Sequence, residues 1–133
     1  MKTTSKELSK YIVPSLFDDN DNFENIIGTF MGRDALALAV SCLKLRTDDV
    51  VLLPAYLCGV VFAPFLGKVR IEFYDLLPDL TIDPAIIRNK LEKLNVKIIL
   101  IINYFGFLQP HRKEICNLCK NKNVLIIEDC AHS

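Results

Sequence analysis

The sequence predicts an α/β fold, a mostly parallel sheet flanked by helices, and three observations carry that expectation. Short runs of β-branched and aliphatic residues recur at Val50-Val-Leu-Leu53, Lys97 to Asn103 and Val124 to Ile127, and a further strand is expected at Val69 to Tyr74. Their apolar side chains follow one another closely, as they do in strands buried on both faces. Between them lie segments with helical spacing and helix-starting residues, and strands separated by helices imply crossover connections and a parallel sheet.

Each element has its own justification. The first thirty residues are weakly patterned, with Asp18-Asp-Asn-Asp-Asn22 as a polar loop and no repeat or low-complexity tract, so residues 1–31 are expected to be a lead-in. Gly32 precedes a helix expected from about Asp34 to Leu45, whose Ala35, Leu36, Leu38, Ala39, Cys42 and Leu43 form an apolar stripe. Thr47-Asp-Asp49 turns the chain into the Val50 strand, and a second helix is expected from Gly59 to Leu66. Asp83 followed by Pro84 is an N-cap with proline at the first helical position, opening a helix to about Leu94. The Lys97 strand, a helix from His111 to Asn121 and the Val124 strand complete the order.

Composition removes several classes of function. The chain has 133 residues, about one domain's worth, and its 16 basic and 16 acidic residues cancel. No basic field points to nucleic acid or to an anionic membrane surface. The amino terminus, Met1-Lys-Thr-Thr-Ser-Lys-Glu-Leu8, has no apolar core of signal-peptide length, which makes a cytoplasmic location the expectation. Five cysteines without such a signal favour reduced thiols. Cys116 and Cys119 form a C-x-x-C, but on a helix they share a face near Ile115 and Leu118, with no second Cys/His pair close by, so core packing is the expectation rather than a metal or redox site. Val50 to Gly67 carries no charge, yet Pro54, Gly59 and Pro64 interrupt it. Strand, turn and buried helix is the expected reading, not a membrane span.

Three places are suited to chemistry. Gly32-Arg-Asp-Ala-Leu36 sets a glycine before a helix amino terminus, where N–H groups and the helix dipole favour an anion such as a phosphate. An ordinary helix start has the same appearance, and Asp34 opposes an anion there unless its side chain turns away. Pro54-Ala-Tyr-Leu-Cys-Gly59 follows a strand at the sheet's carboxyl edge, where Tyr56 or Cys58 faces a ligand or simply fills the turn. Glu128-Asp-Cys-Ala-His132 follows a buried strand with two acids and a histidine. Carboxylates so placed lose hydration unless a cation or hydrogen-bond donors compensate, although Asp129 serves equally well as a helix cap.

Taken together, these stretches resemble the DegT/StrS family of sugar aminotransferases, fold-type I enzymes that depend on pyridoxal phosphate (PLP). The resemblance runs from about Phe30 to Ser133. Gly32-Arg-Asp-Ala-Leu-Ala-Leu-Ala39 resembles the glycine-led helix start, and Asp48-Asp-Val-Val-Leu-Leu-Pro-Ala-Tyr56 the "gdeVlvPaY" segment. Ile71-Glu-Phe-Tyr-Asp75 with Leu80-Thr-Ile-Asp-Pro84 is similar to "vfvDid…lnldp", Asn103-Tyr-Phe-Gly106 to "hlyG", and Ile127-Glu-Asp-Cys-Ala-His132 to "iEDcAq/h". Five ordered matches are far more specific than any one of them.

The resemblance implies roles for individual residues. Asp129 matches the aspartate that pairs with the cofactor's pyridine nitrogen and keeps it protonated, so that the ring accepts electrons. His132 takes a position, often glutamine, that contacts the ring face or phenolic oxygen. Gly32, Arg33 and Asp34 fall where backbone N–H groups hold the phosphate. Cys58 stands where many relatives stack an aromatic residue on the ring, which leaves stacking to Tyr56 or to nothing.

The family's Schiff-base lysine lies some tens of residues beyond the E-D-x-A-H stretch, and Lys113, Lys120 and Lys122 all precede Asp129. Residues 32–133 are therefore expected to be part of the large domain, truncated before that lysine and the small domain, with no catalytic lysine and no activity alone. A sugar substrate, an amino donor and a homodimer are implied for the whole enzyme. The alternative is a non-catalytic α/β remnant or interaction module.

Overall fold

The computed structural model describes residues 27–132. The lead-in expected over residues 1–31, including its Asp18–Asn22 loop, therefore lies almost wholly outside the described residues. Four strands form one parallel sheet in the order β2-β1-β3-β4, with β1 at Val50–Pro54, β2 at Arg70–Tyr74, β3 at Val96–Ile102 and β4 at Leu125–Asp129. Helix α1 spans Gly32–Cys42, α2 Gly59–Phe62, α3 Pro84–Lys93 and α4 Arg112–Asn121.

Strand alternation divides the core into two layers. Val50, Leu52, Ile99 and Ile101 face Ile87 and Leu91 of α3 and Ile115 and Cys119 of α4. Val51, Leu53, Ile98, Leu100 and Ile102 face Leu36 and Val40 of α1 and Phe65. The sheet is thus covered on both faces, the arrangement a parallel sheet requires. Where β1 meets β3 the register slips between Val50 and Val51, pairing Val50 with Val96 and Val51 with Ile98. The extra residue, Lys97, is the one exposed position of β3.

Several boundaries depart from the sequence expectations for local reasons. Helix α1 begins at Gly32 rather than Asp34 and ends at Cys42 rather than Leu45, because Leu43 is extended (φ −86°, ψ 131°). Asp49 then accepts a hydrogen bond from the Arg46 N–H at 2.8 Å, drawing residues 46–49 into a turn. The helix expected from Gly59 to Leu66 is one α turn, Gly59–Phe62, followed by a 3-10 turn, Ala63–Phe65. Pro64 lacks the N–H that would continue the α ladder. Strand β4 runs past Ile127 to Asp129, since Glu128 pairs with Ile101 and Asp129 with Ile102.

Other expectations hold closely. The Asp83 side chain caps α3 by accepting the Ala85 N–H at 2.8 Å, an interaction typically worth about 1 kcal/mol. Cys119 is fully buried in the core beneath α4, where burial pushes its thiol up to about 11, and Cys116 is half-buried beside it. Among the described residues no helix is long and apolar enough to cross a membrane. The uncharged stretch from Val50 instead forms β1, a turn and the short α2.

Candidate functional site

The chain order of the sheet sets the position of the site. Strand β1 is followed by β2 on one side, and the chain then crosses back to place β3 on the other, so the connections diverge at the β1/β3 boundary. In open parallel sheets a crevice forms outside the carboxyl ends of the strands at such a point. Here it is a cavity of about 350 Å³ lined by Tyr56, Leu57 and Cys58 after β1, Tyr104 and Phe105 after β3, and Asp129 and His132 at and after β4.

Asp129 is the last residue of β4 and is half-buried. Its Oδ1 accepts the Ala131 N–H at 2.9 Å, which turns the chain sharply and brings His132 back to the crevice. The Phe105 N–H donates to His132 Nδ1 at 3.3 Å, and the two rings stack with centroids 5.9 Å apart. Phe105 holds a left-handed conformation (φ 55°, ψ 24°), an uncommon state for a non-glycine residue, and this aims its N–H at the histidine.

A second cavity, of about 310 Å³, lies on the other side of the same strand end. Asp129, Cys130 and Ala131 line it together with Gly32, Ala35 and Ala39 of α1. The approach is close, since a Cβ added at Gly32 would stand 3.9 Å from that of Ala131. No side chain caps the α1 amino terminus, and the Asp34 and Ala35 N–H groups donate to the Met31 carbonyl at 2.9 and 3.2 Å. Gly32 and Arg33 hold the first two helical N–H positions, the usual anion-binding donors.

Of the sequence-nominated residues, Cys58, Asp129 and His132 share one cavity, and Gly32 joins Asp129 in the other. Arg33 and Asp34 are exposed and line neither. Tyr56 also lines the crevice, its ring 5.8 Å from that of Tyr104 and tilted by 50°. Lys113 and Lys120 lie on α4 and Lys122 follows it, all exposed and away from both cavities.

Several contributors were not nominated from sequence. The Tyr104 hydroxyl donates to the Tyr56 carbonyl, tying the β3 loop to the β1 loop. Burial, with smaller contributions from Tyr56 and Asp129, pushes that phenol up to about 12. Gln109 is buried, accepting the Ile82 N–H at 3.0 Å and donating to the Leu80 and Ile102 carbonyls at 3.2 and 3.1 Å. Arg112 donates to both oxygens of Glu128 at 2.7–3.0 Å and holds that carboxyl below the usual carboxylate range against the opposing effect of burial. Asn103 and Tyr104 fall within Asn103-Tyr-Phe-Gly106, which carried the resemblance without a role for either, whereas Arg112 is 16 residues from Glu128 and Gln109 has no local pattern.

Comparison with known proteins decides the family. Residues 19–133 match the model of the DegT/DnrJ/EryC1/StrS aminotransferase family. The chain belongs to that family. It is 26% identical over 125 residues to a UDP-4-amino-4,6-dideoxy-N-acetyl-beta-L-altrosamine transaminase of Campylobacter jejuni, covering 85% of this chain and 33% of the relative. The chain thus spans about a third of that protein's length.

Solved structures agree on the fold. The aminotransferase TlmJ from Streptoalloteichus hindustanus matches with a TM-score of 0.66 at 24% identity, over 76% of this chain and 28% of that one. A GDP-4-keto-6-deoxy-D-mannose-3-dehydratase of E. coli with bound hydrated PLP gives 0.64 at 23% identity, over 74% and 27%. Tyrosine aminotransferase from Leishmania infantum gives 0.66 at 22% identity, over 80% and 30%. The parallel four-stranded sheet flanked by helices is part of the fold-type I PLP-dependent architecture.

Proposed function

We propose that these residues form the cofactor-tuning part of a cytoplasmic PLP-dependent aminotransferase acting on a nucleotide-linked keto-sugar. The observation that carries this reading is the position of Asp129. It ends β4 between two cavities, one bearing Cys58 and His132 and the other Gly32. The residues suit the group: the crevice lies within the size range of small-molecule sites, apolar and aromatic side chains line it, and one carboxylate enters it.

When bound, PLP supplies a protonated pyridine ring that withdraws electrons from the substrate's amine-bearing carbon. Asp129 holds the proton on the ring nitrogen, and the Ala131 N–H bond to Oδ1 restrains the carboxylate for that task. His132, fixed by the Phe105 N–H, contacts the ring face or phenolic oxygen. The backbone of Gly32, Arg33 and Asp34 would meet the phosphate, with Gly32 and Arg33 supplying the N–H groups because the Asp34 N–H already donates to the Met31 carbonyl. Cys58 and Tyr56 would border the ring, with Tyr56, Tyr104 and Phe105 as aromatic surfaces of the same crevice.

The lysine that binds the cofactor covalently, the small domain and the residues that choose the sugar and amino donor come from outside these 133 residues. So does the second subunit of a homodimer. The 133-residue chain alone is inactive as a transaminase.

Titration of the purified chain with PLP, followed by absorbance with and without borohydride, tests the reading. Reversible binding that Asp129→Ala weakens at least tenfold, about 1.4 kcal/mol, is the expected result. Absence of binding, or equal binding by the variant, would refute it. A borohydride-stable adduct on a lysine would refute the statement that the chain alone lacks the catalytic base.

A further inference from the structure

One residue grips all three positions around the site carboxylate. Asn103 is fully buried at the end of β3, and its backbone N–H donates to the Asp129 carbonyl at 3.0 Å. Its side-chain Nδ2 donates to Glu128 Oε1 at 3.0 Å and to Cys130 Sγ at 3.3 Å. The amide orientation follows from charge, because reversing it would set a carbonyl oxygen against the Glu128 carboxylate. In this orientation Asn103 Oδ1 has no hydrogen-bond partner among the described residues, so the donor bonds are kept while the acceptor goes unmatched.

Glu128 is held from its other side by Arg112, through three bonds of 2.7–3.0 Å. The pairing compensates the negative charge next to Asp129. Successive side chains of a strand point to opposite faces, so a strand end that rolls about its axis would exchange which acid enters the crevice.

We infer that Asn103 is a positioning residue which, with Arg112, holds the Glu128 carboxylate toward α4 and thereby directs the Asp129 carboxylate into the crevice. Asn103 itself touches neither cavity's interior; it acts through the residues flanking Asp129. The effect on cofactor affinity rests on the function proposed above, whereas the effect on the strand end does not.

A reversed hydrogen bond tests this. Asn103→Asp keeps the side chain's shape and turns its donor into an acceptor facing Glu128. Pairing it with Glu128→Gln restores a donor and acceptor in the opposite sense, with the glutamine carbonyl still available to Arg112 Nη2. In the purified 133-residue chain, amide hydrogen exchange over residues 125–132 is expected to rise about tenfold in N103D, with β1 and β2 unchanged, and to return in N103D/E128Q. PLP affinity should follow the same pattern. Arg112→Gln, on the surface, probes the link without disturbing the core and should raise exchange over the same residues about threefold.

Unchanged exchange in N103D or R112Q, or a double variant no better than N103D, would overturn the proposal. So would a rise in N103D shared equally by β1 and β2. If the exchange pattern holds but the parent binds no PLP, the proposed function fails and the positioning role stands.

Discussion

Strands β3 and β4 are neighbours with opposite characters. Six of the seven residues of β3 are buried, and it pairs on both sides, with β1 and with β4. No residue of β4 is fully buried, and among the described residues it pairs with β3 alone. The difference separates stability from chemistry. A central strand is surrounded by apolar neighbours and has no room for a charge, whereas the end of β4 carries two acids because polar partners meet them, Arg112 and Asn103 at Glu128 and the Ala131 N–H at Asp129. The site gathers where the end of β4 meets the loops after β1 and β3, which the Tyr104–Tyr56 bond ties together.

The largest expected effect breaks this comparison from the β3 side. Leu100→Ala or Ile99→Ala should cost about 2–5 kcal/mol, because both residues are fully buried and the cavity left behind cannot collapse. Leu125→Ala in β4, where the side chain is 47% exposed, should change stability by no more than about 0.5 kcal/mol. Urea unfolding of the three variants checks the contrast.

A second effect concerns alkaline pH at the link between loops. The buried Tyr104 phenol is raised from 10.0 to about 12, so folding favours its neutral form. A raised acid contributes stability that is fully present below the unfolded value and is lost as pH rises through the folded one. Part of the parent's stability should therefore decline between pH 10.0 and about 12, and Tyr104→Phe should remove that part of the decline. At neutral pH the same variant loses the bond to the Tyr56 carbonyl, a cost of about 1 kcal/mol.

A smaller effect appears at acid pH on β4. Arg112 lowers the Glu128 carboxyl, so their link contributes stability above the unfolded carboxylate value. That contribution is lost as pH falls through the depressed folded value. Thermal melts across this range should show a shallower acid decline for Arg112→Gln than for the parent. The smallest effect is kinetic: buried Cys119, its thiol raised to about 11, should react with a thiol reagent far more slowly than exposed Cys58 and Cys130.

The same contrast explains what could be read from the sequence. The β3 and β1 runs were legible because burial on both faces demands uninterrupted apolar residues, and the α3 start because Asp83-Pro84 acts locally. The end of β4 was underestimated by two residues, since Glu128 and Asp129 break the apolar pattern while the backbone ladder with Ile101 and Ile102 continues. Helix α2 was overestimated because Pro64 removes an N–H within a segment whose composition still looks helical. Asp129 and His132 stood out because they follow a strand directly. Arg112 and Gln109 did not, because their partners come from other parts of the chain and neither residue carries a local motif.

The most direct measurement is the 15N chemical shift of the pyridine nitrogen in labelled PLP bound to the chain. If Asp129 is its partner, the bound nitrogen is protonated in the parent and becomes unprotonated in Asp129→Ala, with the fold intact by circular dichroism. An unprotonated nitrogen in the parent, or a shift that the variant leaves unchanged, would contradict the account.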